Sequence, residues 1–323
     1  MKRFFICAAA AIVALASCSK TEVVNTSAPE EIGFKAVTGV MTKGKGVQAT
    51  GDFDQNIGVL AYNTADLSVY FANAAFEKTT VTVDQVTTTT WNGQNKYWPI
   101  DSKLDFVVYS PYQATNVAVT NVAADQSVVP AVEAAKTLEV TVATNATTSL
   151  EDQTDYLYGS QYYDEHSKAE ASVAVNFKHA LALITVNFTG NAHVNIVSAV
   201  LDDTAQDGTY TVNYLADPVS CTWNPGDTDN DLILKPTEVT ALSGDAISTE
   251  YMVVPTAASS ITIVYNLVGM TGENLTKEID LKETWEPGTH YTYNVNIGAN
   301  EIKFTTSVTD WTTGQVTTDT VIE

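Results

Sequence analysis

Tyr291-Thr292-Tyr293-Asn294-Val295-Asn296-Ile297 alternates apolar and polar side chains without a break. Successive side chains of a strand point to opposite faces. Tyr291, Tyr293, Val295 and Ile297 therefore share one face, and Thr292, Asn294 and Asn296 share the other. A strand patterned this way has one side on a core and one in water, as in antiparallel sandwiches. Leu104-Asp105-Phe106-Val107-Val108-Tyr109, Leu181 to Phe188 and Ser260 to Tyr265 are further strand-like runs. Turn clusters separate the runs, notably Asn92-Gly93, Asp207-Gly208, Asn224-Pro225-Gly226 and Glu286-Pro287-Gly288. Apolar residues at helical spacing are missing, so the expected fold class is all-β.

The N-terminus carries its own signals. Lys2 and Arg3 precede a short apolar run from Phe4 to Leu15, which closes with Leu15-Ala16-Ser17-Cys18. A basic start, a brief apolar run and small residues at its end make a secretory signal, because the run is too short to span a bilayer. The cysteine after Leu-Ala-Ser is a lipobox, which predicts removal of residues 1–17 and acylation of Cys18. Residues 18–30 then read as a polar tether from the lipid to the first strand, anchoring the chain to a membrane without spanning it. The remaining length suits two sandwich domains. A polar interval at Asp164, Glu165, His166, Lys168 and Glu170 suggests units 31–165 and 166–323.

Composition excludes several function classes. The chain has 38 Asp+Glu against 16 Lys+Arg, and its single arginine is Arg3. With no basic patch to neutralise phosphates, nucleic acid is not an expected partner. Cys7 leaves with the signal and Cys18 carries lipid, so Cys221 has no disulfide partner and reads as a small hydrophobe on a strand. Asp227-Thr228-Asp229-Asn230-Asp231, with Glu238 at the twelfth position, has part of the spacing of a calcium loop. The sixth position is Leu232, where the sharp turn needs glycine, so an acidic turn into a strand is the better reading. The four histidines have no zinc-site spacing, and there is no Gly-x-Ser-x-Gly elbow. The expectation is therefore no catalytic residue, no metal and no cofactor beyond the covalent lipid on Cys18.

Several segments, in order, carry a family resemblance. They are Ile32-Gly33-Phe34, then Thr42-Lys43-Gly44-Lys45, then Tyr97-Trp98-Pro99 leading into Leu104 to Tyr112. Thr154-Asp155-Tyr156-Leu157-Tyr158-Gly159 and Val175-Asn176-Phe177-Lys178-His179-Ala180-Leu181 follow. Tyr251-Met252-Val253-Val254-Pro255, Trp285-Glu286-Pro287-Gly288-Thr289-His290-Tyr291-Thr292-Tyr293 and Val308-Thr309-Asp310-Trp311 close the set. Together they resemble the fimbrillin family of Bacteroides-type bacteria, which builds the type V pilus.

The resemblance implies two tandem transthyretin-like β-sandwich domains and an assembly route. A lipoprotein precursor reaches the outer membrane, and a trypsin-like protease cuts the loop after the first strand. The strand that leaves opens a groove, which a strand of another subunit fills by β-strand addition. Ile32, Phe34 and Ala36 alternate on the strand that would leave, and Lys43 and Lys45 are the expected cleavage sites. Lysine stands here where the family often presents arginine. The donor is expected in the C-terminal segment, where Ile302, Phe304 and Val308 alternate, followed by Val316 and Ile322. Burying a Val, Ile or Phe side chain is worth about 1.5–3 kcal/mol, so four or five anchors give roughly 6–15 kcal/mol before ordering costs. Such head-to-tail contacts do not close and generate filaments. The expected product is a structural subunit of a cell-surface fimbrium, stalk rather than tip. Its partners would be other pilus subunits, the protease and, before processing, the outer membrane. The alternative is a surface lipoprotein that binds glycan or host protein and never polymerises; retention of lipid and absence of cleavage would mark it.

Overall fold

The computed structural model describes residues 29–36, 55–65, 68–83, 86–115, 117–122, 135–143, 153–159, 166–169, 172–190, 193–214, 218–227, 229–235, 239–242, 246–257, 260–269, 274–298, 301–311 and 320–322. These residues form strands and connections and contain no helix. In the first half the strands are β1 (Glu31–Ala36), β2 (Ile57–Asn63), β3 (Val69–Val83), β4 (Val86–Tyr97), β5 (Leu104–Ser110), β6 (Val117–Val122), β7 (Ala135–Ala143) and β8 (Leu157–Gly159). Two short strands follow, β9 (Val173–Val175) and β10 (Phe177–His179).

Eight of these strands pair in the order β10-β8-β5-β2-β3-β4-β1-β9. The sheet turns over within β3, whose first part from Val69 to Phe76 pairs with β2 and whose second part from Glu77 to Val83 pairs with β4. The two halves face each other across one core containing Ile32, Phe34, Val59, Phe76, Trp91, Phe106, Val108, Val173 and Phe177. Gly93 on β4 makes the closure possible. A Cβ there would sit 2.4 Å from the ring of Phe76, so only glycine lets that ring lie against the strand.

The second sandwich is built from β11 (Ala182–Gly190), β12 (Val194–Ala205), β15 (Asp229–Lys235), β16 (Thr240–Ala241), β17 (Ile247–Val253), β18 (Ser260–Leu267), β19 (Leu275–Asp280), β20 (Thr289–Ile297), β21 (Ile302–Asp310) and β22 (Thr320–Ile322). One sheet has the order β17-β11-β20-β21-β22, the other β15-β12-β18-β19 with β16 on β12. The alternation read in Tyr291–Ile297 is realised directly: Tyr291, Tyr293, Val295 and Ile297 are all core. Opposite them pack Ile196, Leu201, Leu234, Ile261 and Ile263. The Asp227–Asp231 cluster leads into β15, whose residues are laid out on a ladder with β12; Glu238 lies outside the described residues.

A third layer joins the two sandwiches. β13 (Asp207–Asn213) and β14 (Ser220–Pro225) pair in the order β14-β13-β7-β6, a four-stranded sheet drawn from both halves of the chain. Its inward residues Tyr210 and Val212 share a core with Tyr62, Val107, Tyr109, Leu181, Met252 and Trp311. Cys221 lies half-buried at the edge of this core, where burial pushes its thiol well above the ordinary range. The polar interval at 162–171 does not end the first sandwich. His166 is buried and bridges Leu104, and β9 and β10 beyond it complete the first sandwich's edges. The chain enters the second sandwich only at β11.

The outward face of the β11–β20 pair is a lattice of short polar side chains. Asn187 Nδ2 donates to Asn294 Oδ1 at 2.9 Å, and Asn296 Nδ2 donates to Thr189 Oγ1 at 3.0 Å. Thr185 Oγ1 lies 3.0 Å from Glu250 Oε1 and 2.8 Å from His290 Nε2, with Thr292 Oγ1 3.4 Å from the same nitrogen. Burial pushes the His290 imidazole below its ordinary 6.5, opposed by the Glu250 carboxylate. A histidine whose folded value is depressed binds its proton more readily when unfolded, so stability is complete above 6.5 and falls as pH drops below it. His290→Gln removes that group. Thermal melts between about pH 7 and pH 5 are expected to show a shallower loss of Tm in the variant than in the wild type. Equal slopes would contradict the assignment.

Candidate functional site

β1 is the strand whose position matters most for the expected assembly chemistry. It pairs antiparallel with β4 through Glu31↔Tyr97, Gly33↔Asn92, Phe34↔Trp91 and Lys35↔Thr90, with a register shift after Glu31. On its other side it pairs parallel with β9 through Phe34↔Val173, Lys35↔Ala174 and Ala36↔Val175. Both flanks of its backbone are therefore occupied. Alternation directs Ile32 and Phe34 into the core, each 0% exposed, while Glu31 and Lys35 face solvent and Ala36 is half-buried.

The Phe34 ring is wedged between the two halves of the sandwich. It meets Phe76 at 5.1 Å and Phe106 at 5.0 Å, both edge to face at 82° and 88°. Such pairs add about 0.5–1.5 kcal/mol each beyond area burial. Trp91, opposite Phe34 on the ladder, is buried and donates its Nε1 hydrogen to Gln55 O at 3.0 Å. Just upstream, Trp98 N donates to Glu30 O at 2.9 Å, fixing the entry to β1. Loss of β1 would uncover Phe76, Phe106 and Trp91 together and leave β4 and β9 with open edges.

The expected donor residues fall into two groups. Ile302, Phe304 and Val308 lie on β21, which is flanked by β20 along its full length and by β22 on the other side. Phe304 is buried and stacks on Tyr293 at 5.7 Å and 16°, while Ile302 and Val308 pack against the same core from its margin. Their inward face is thus committed to the subunit's own second sandwich. β22 pairs with β21 over three residues, Thr320 to Ile322 opposite Thr306 to Phe304, and forms the edge of that sheet. Cys18, Lys43, Lys45 and Val316 lie outside the described residues.

Four segments of the family resemblance, far apart in sequence, meet at the junction between the sandwiches. His179 Nδ1 lies 3.0 Å from both carboxylate oxygens of Asp155, and both side chains are fully buried. The Trp311 indole stacks on the His179 ring at 3.7 Å and 12°. Trp311 N also donates to Gly288 O at 2.9 Å, and Gly288 N to Leu181 O at 2.8 Å. Gly288 has φ of +67°, a left-handed conformation that glycine adopts without strain. Around it, Trp285 Nε1 donates to Tyr293 Oη at 2.9 Å and Glu286 N to Tyr291 Oη at 3.0 Å. These contacts explain why Asp155, Phe177-Lys178-His179, Trp285 to Tyr293 and Trp311 form one pattern: they root the C-terminal tail. Beside them opens a cleft of about 810 Å³ between β14 and the 284–289 turn, walled by Tyr158, Trp223, Pro255 and Pro287. Among the described residues, no group of three or more His, Cys, Asp or Glu is placed to hold a metal.

Residues 45–311 match the fimbrillin-like protein family. The chain is 25% identical over 322 residues to Fim1C of Bacteroides uniformis, designated a fimbrium subunit, covering 97% of this chain and 96% of that one. A solved structure of a protein designated a cell adhesion protein, from Bacteroides ovatus, aligns with a TM-score of 0.53 at 15% identity, covering 90% of this chain and 100% of that one. A second such structure, from Bacteroides uniformis, aligns with a TM-score of 0.50 at 16% identity, covering 87% and 99%.

The wedge position of Phe34 sets a stability test. Phe34→Ala removes a fully buried aromatic ring and is expected to destabilise the uncut protein by about 3–5 kcal/mol in urea unfolding. A change below about 1 kcal/mol would show that β1 is not held as described.

Proposed function

The chain belongs to the fimbrillin-like family, whose members are structural subunits of cell-surface fimbriae rather than enzymes, and we propose that this subunit polymerises by exchanging β1 for a strand of its neighbour. Export proceeds through the signal at residues 1–17, with lipid attached to Cys18 and outer-membrane anchorage before processing. A trypsin-like protease then cuts after Lys43 or Lys45. The cut separates β1 and the lipid from the rest of the chain, and the subunit leaves the membrane as β1 leaves the sandwich.

The observation that carries this reading is the setting of β1. It is six residues long, it is buried through Ile32 and Phe34, and it bears both lysines a few residues downstream. A strand held by its own short ladder and two or three apolar anchors forms a groove that another strand can fill on the same terms. Ile32 and Phe34 contribute roughly 3–6 kcal/mol by burial, at about 1.5–3 kcal/mol each. An incoming strand must supply at least this much. Because Ile302, Phe304 and Val308 already serve the subunit's own core, the donor is the tail beyond Trp311, including Val316 and Ile322. A subunit with both a separable first strand and a donor strand suits the stalk, where each copy accepts and donates.

The double variant Lys43→Gln/Lys45→Gln tests the processing step on cells. Wild type is expected to show a surface form starting just after one of these lysines and an SDS-resistant ladder. The variant is expected to keep its acylated N-terminus and to run as a monomer. A ladder of undiminished intensity from the variant would overturn cleavage at these positions.

A further inference from the structure

The cleft between β14 and the 284–289 turn stands apart from β1. It holds about 810 Å³, and its walls come from separate elements. Tyr158 of β8 and Lys178 of β10 are opposite each other on one ladder and form the first wall. Ser220 and Trp223 of β14 form the second. Glu286 and Asp310 stand on the third, where Asp310 opposes Thr289 at the end of the β20–β21 ladder. Small-molecule sites have volumes of about 300–1,000 Å³ and combine aromatic walls with a few convergent polar groups. This cleft has both.

The walls are held from behind. Trp223 Nε1 donates to Ala180 O, and the indole leans on Tyr210 at 5.3 Å. From Trp285 to Thr289 every backbone N–H is spent inside the subunit. Trp285 N donates to Thr256 O, Glu286 N to Tyr291 Oη, Gly288 N to Leu181 O and Thr289 N to Glu286 O, while Pro287 has none to give. An extended peptide is recognised chiefly through backbone hydrogen bonds, and this wall has no donor left for one. What the cleft offers is side-chain chemistry: aromatic rings at Tyr158 and Trp223, acceptors at Glu286 and Asp310, a donor at Lys178 and a hydroxyl at Ser220. A pyranose ring matches that set, with an apolar C–H face to lie on an aromatic ring and hydroxyls that both donate and accept. Charge narrows the class. Two carboxylates against one ammonium line the cleft, on a chain with 38 Asp+Glu against 16 Lys+Arg, which disfavours anionic sugars. Burial pushes the Cys221 thiol well above its ordinary range, so the cleft is built to bind and offers no thiolate nucleophile.

We propose that this cleft binds a neutral oligosaccharide, stacked on Trp223 and hydrogen-bonded by Glu286, Asp310 and Lys178. The inference goes beyond strand exchange and does not depend on it. The site is complete within one subunit, so a fibre of many copies presents it repeatedly and gains avidity for a glycan-coated surface.

Titration of the purified precursor with maltotriose, cellotriose and chitotriose, followed by tryptophan fluorescence and saturation-transfer NMR, tests the site. At least one of the three sugars is expected to give a saturable response. Trp223→Ala is expected to abolish it, and Trp223→Phe, which keeps a ring, to retain part of it. Glu286 and Asp310 are exposed, so Glu286→Gln and Asp310→Asn are expected to keep the wild-type Tm. Each is expected to weaken binding about tenfold, the loss that follows removal of a hydrogen bond to a charged group. No saturable response to any of the three sugars would overturn the proposal. So would binding that Trp223→Ala, Glu286→Gln and Asp310→Asn all leave unchanged. A saturable response to a polyproline peptide with none to the sugars would assign the cleft to a protein partner and overturn it as well.

Discussion

The edge-to-face packing of Phe34 between Phe76 and Phe106 is the constraint on which the first sandwich depends. Phe76 sits where β3 passes from one half of the sheet to the other, and Phe106 belongs to the central strand β5 of the opposite half. A single ring on a six-residue strand therefore ties the two halves together. The proposed exchange of β1 draws on the same fact. Its hold is a short ladder and a few apolar anchors, and it is covalently continuous with the sandwich only through the segment carrying Lys43 and Lys45. In the proposed exchange, another extended strand with apolar side chains at the same parity takes its place.

The second sandwich behaves differently. β20 and β21 are paired over nine residues, and Phe304 is locked against Tyr293. At the edge of that sheet β22 pairs with β21 over three residues. The junction between the sandwiches is rigidly specified by the buried Asp155–His179 pair under the Trp311 indole. A buried hydrogen-bonded pair of polar side chains fixes orientation where it sits. The Trp311 indole stacked on His179 holds the end of β21 at this junction.

Much of this architecture was legible in the sequence, and the failures are physical. Tyr291–Ile297 alternates cleanly, and its inward residues are the core of β20. Leu104–Tyr109 forms β5 as read, but both of its faces are buried, because the four-stranded sheet covers the side that a two-layer sandwich would expose. That extra layer pairs β7 with β13 across some seventy residues, a non-local choice that local periodicity does not record. Alternation in Ile302, Phe304 and Val308 signalled a buried face correctly, but periodicity does not say whose core the face belongs to. Beyond the polar run, β9 and β10 pair within the first sandwich, a non-local pairing that the local polarity does not record. The tail root at His179 and Trp311 is built from residues that carried the family resemblance, although spacing alone gave no reason for them to meet.

The central claim is that β1 is exchanged for the tail of another copy. The most direct measurement takes purified precursor, cuts it after Lys43 or Lys45, and adds a synthetic peptide of residues 312–323. Native mass spectrometry then weighs the complex. The account predicts that the fragment carrying β1 is displaced and that the cut subunit holds one tail peptide. A cut subunit that keeps its β1 fragment and binds no peptide, at concentrations where fibres form, would contradict it.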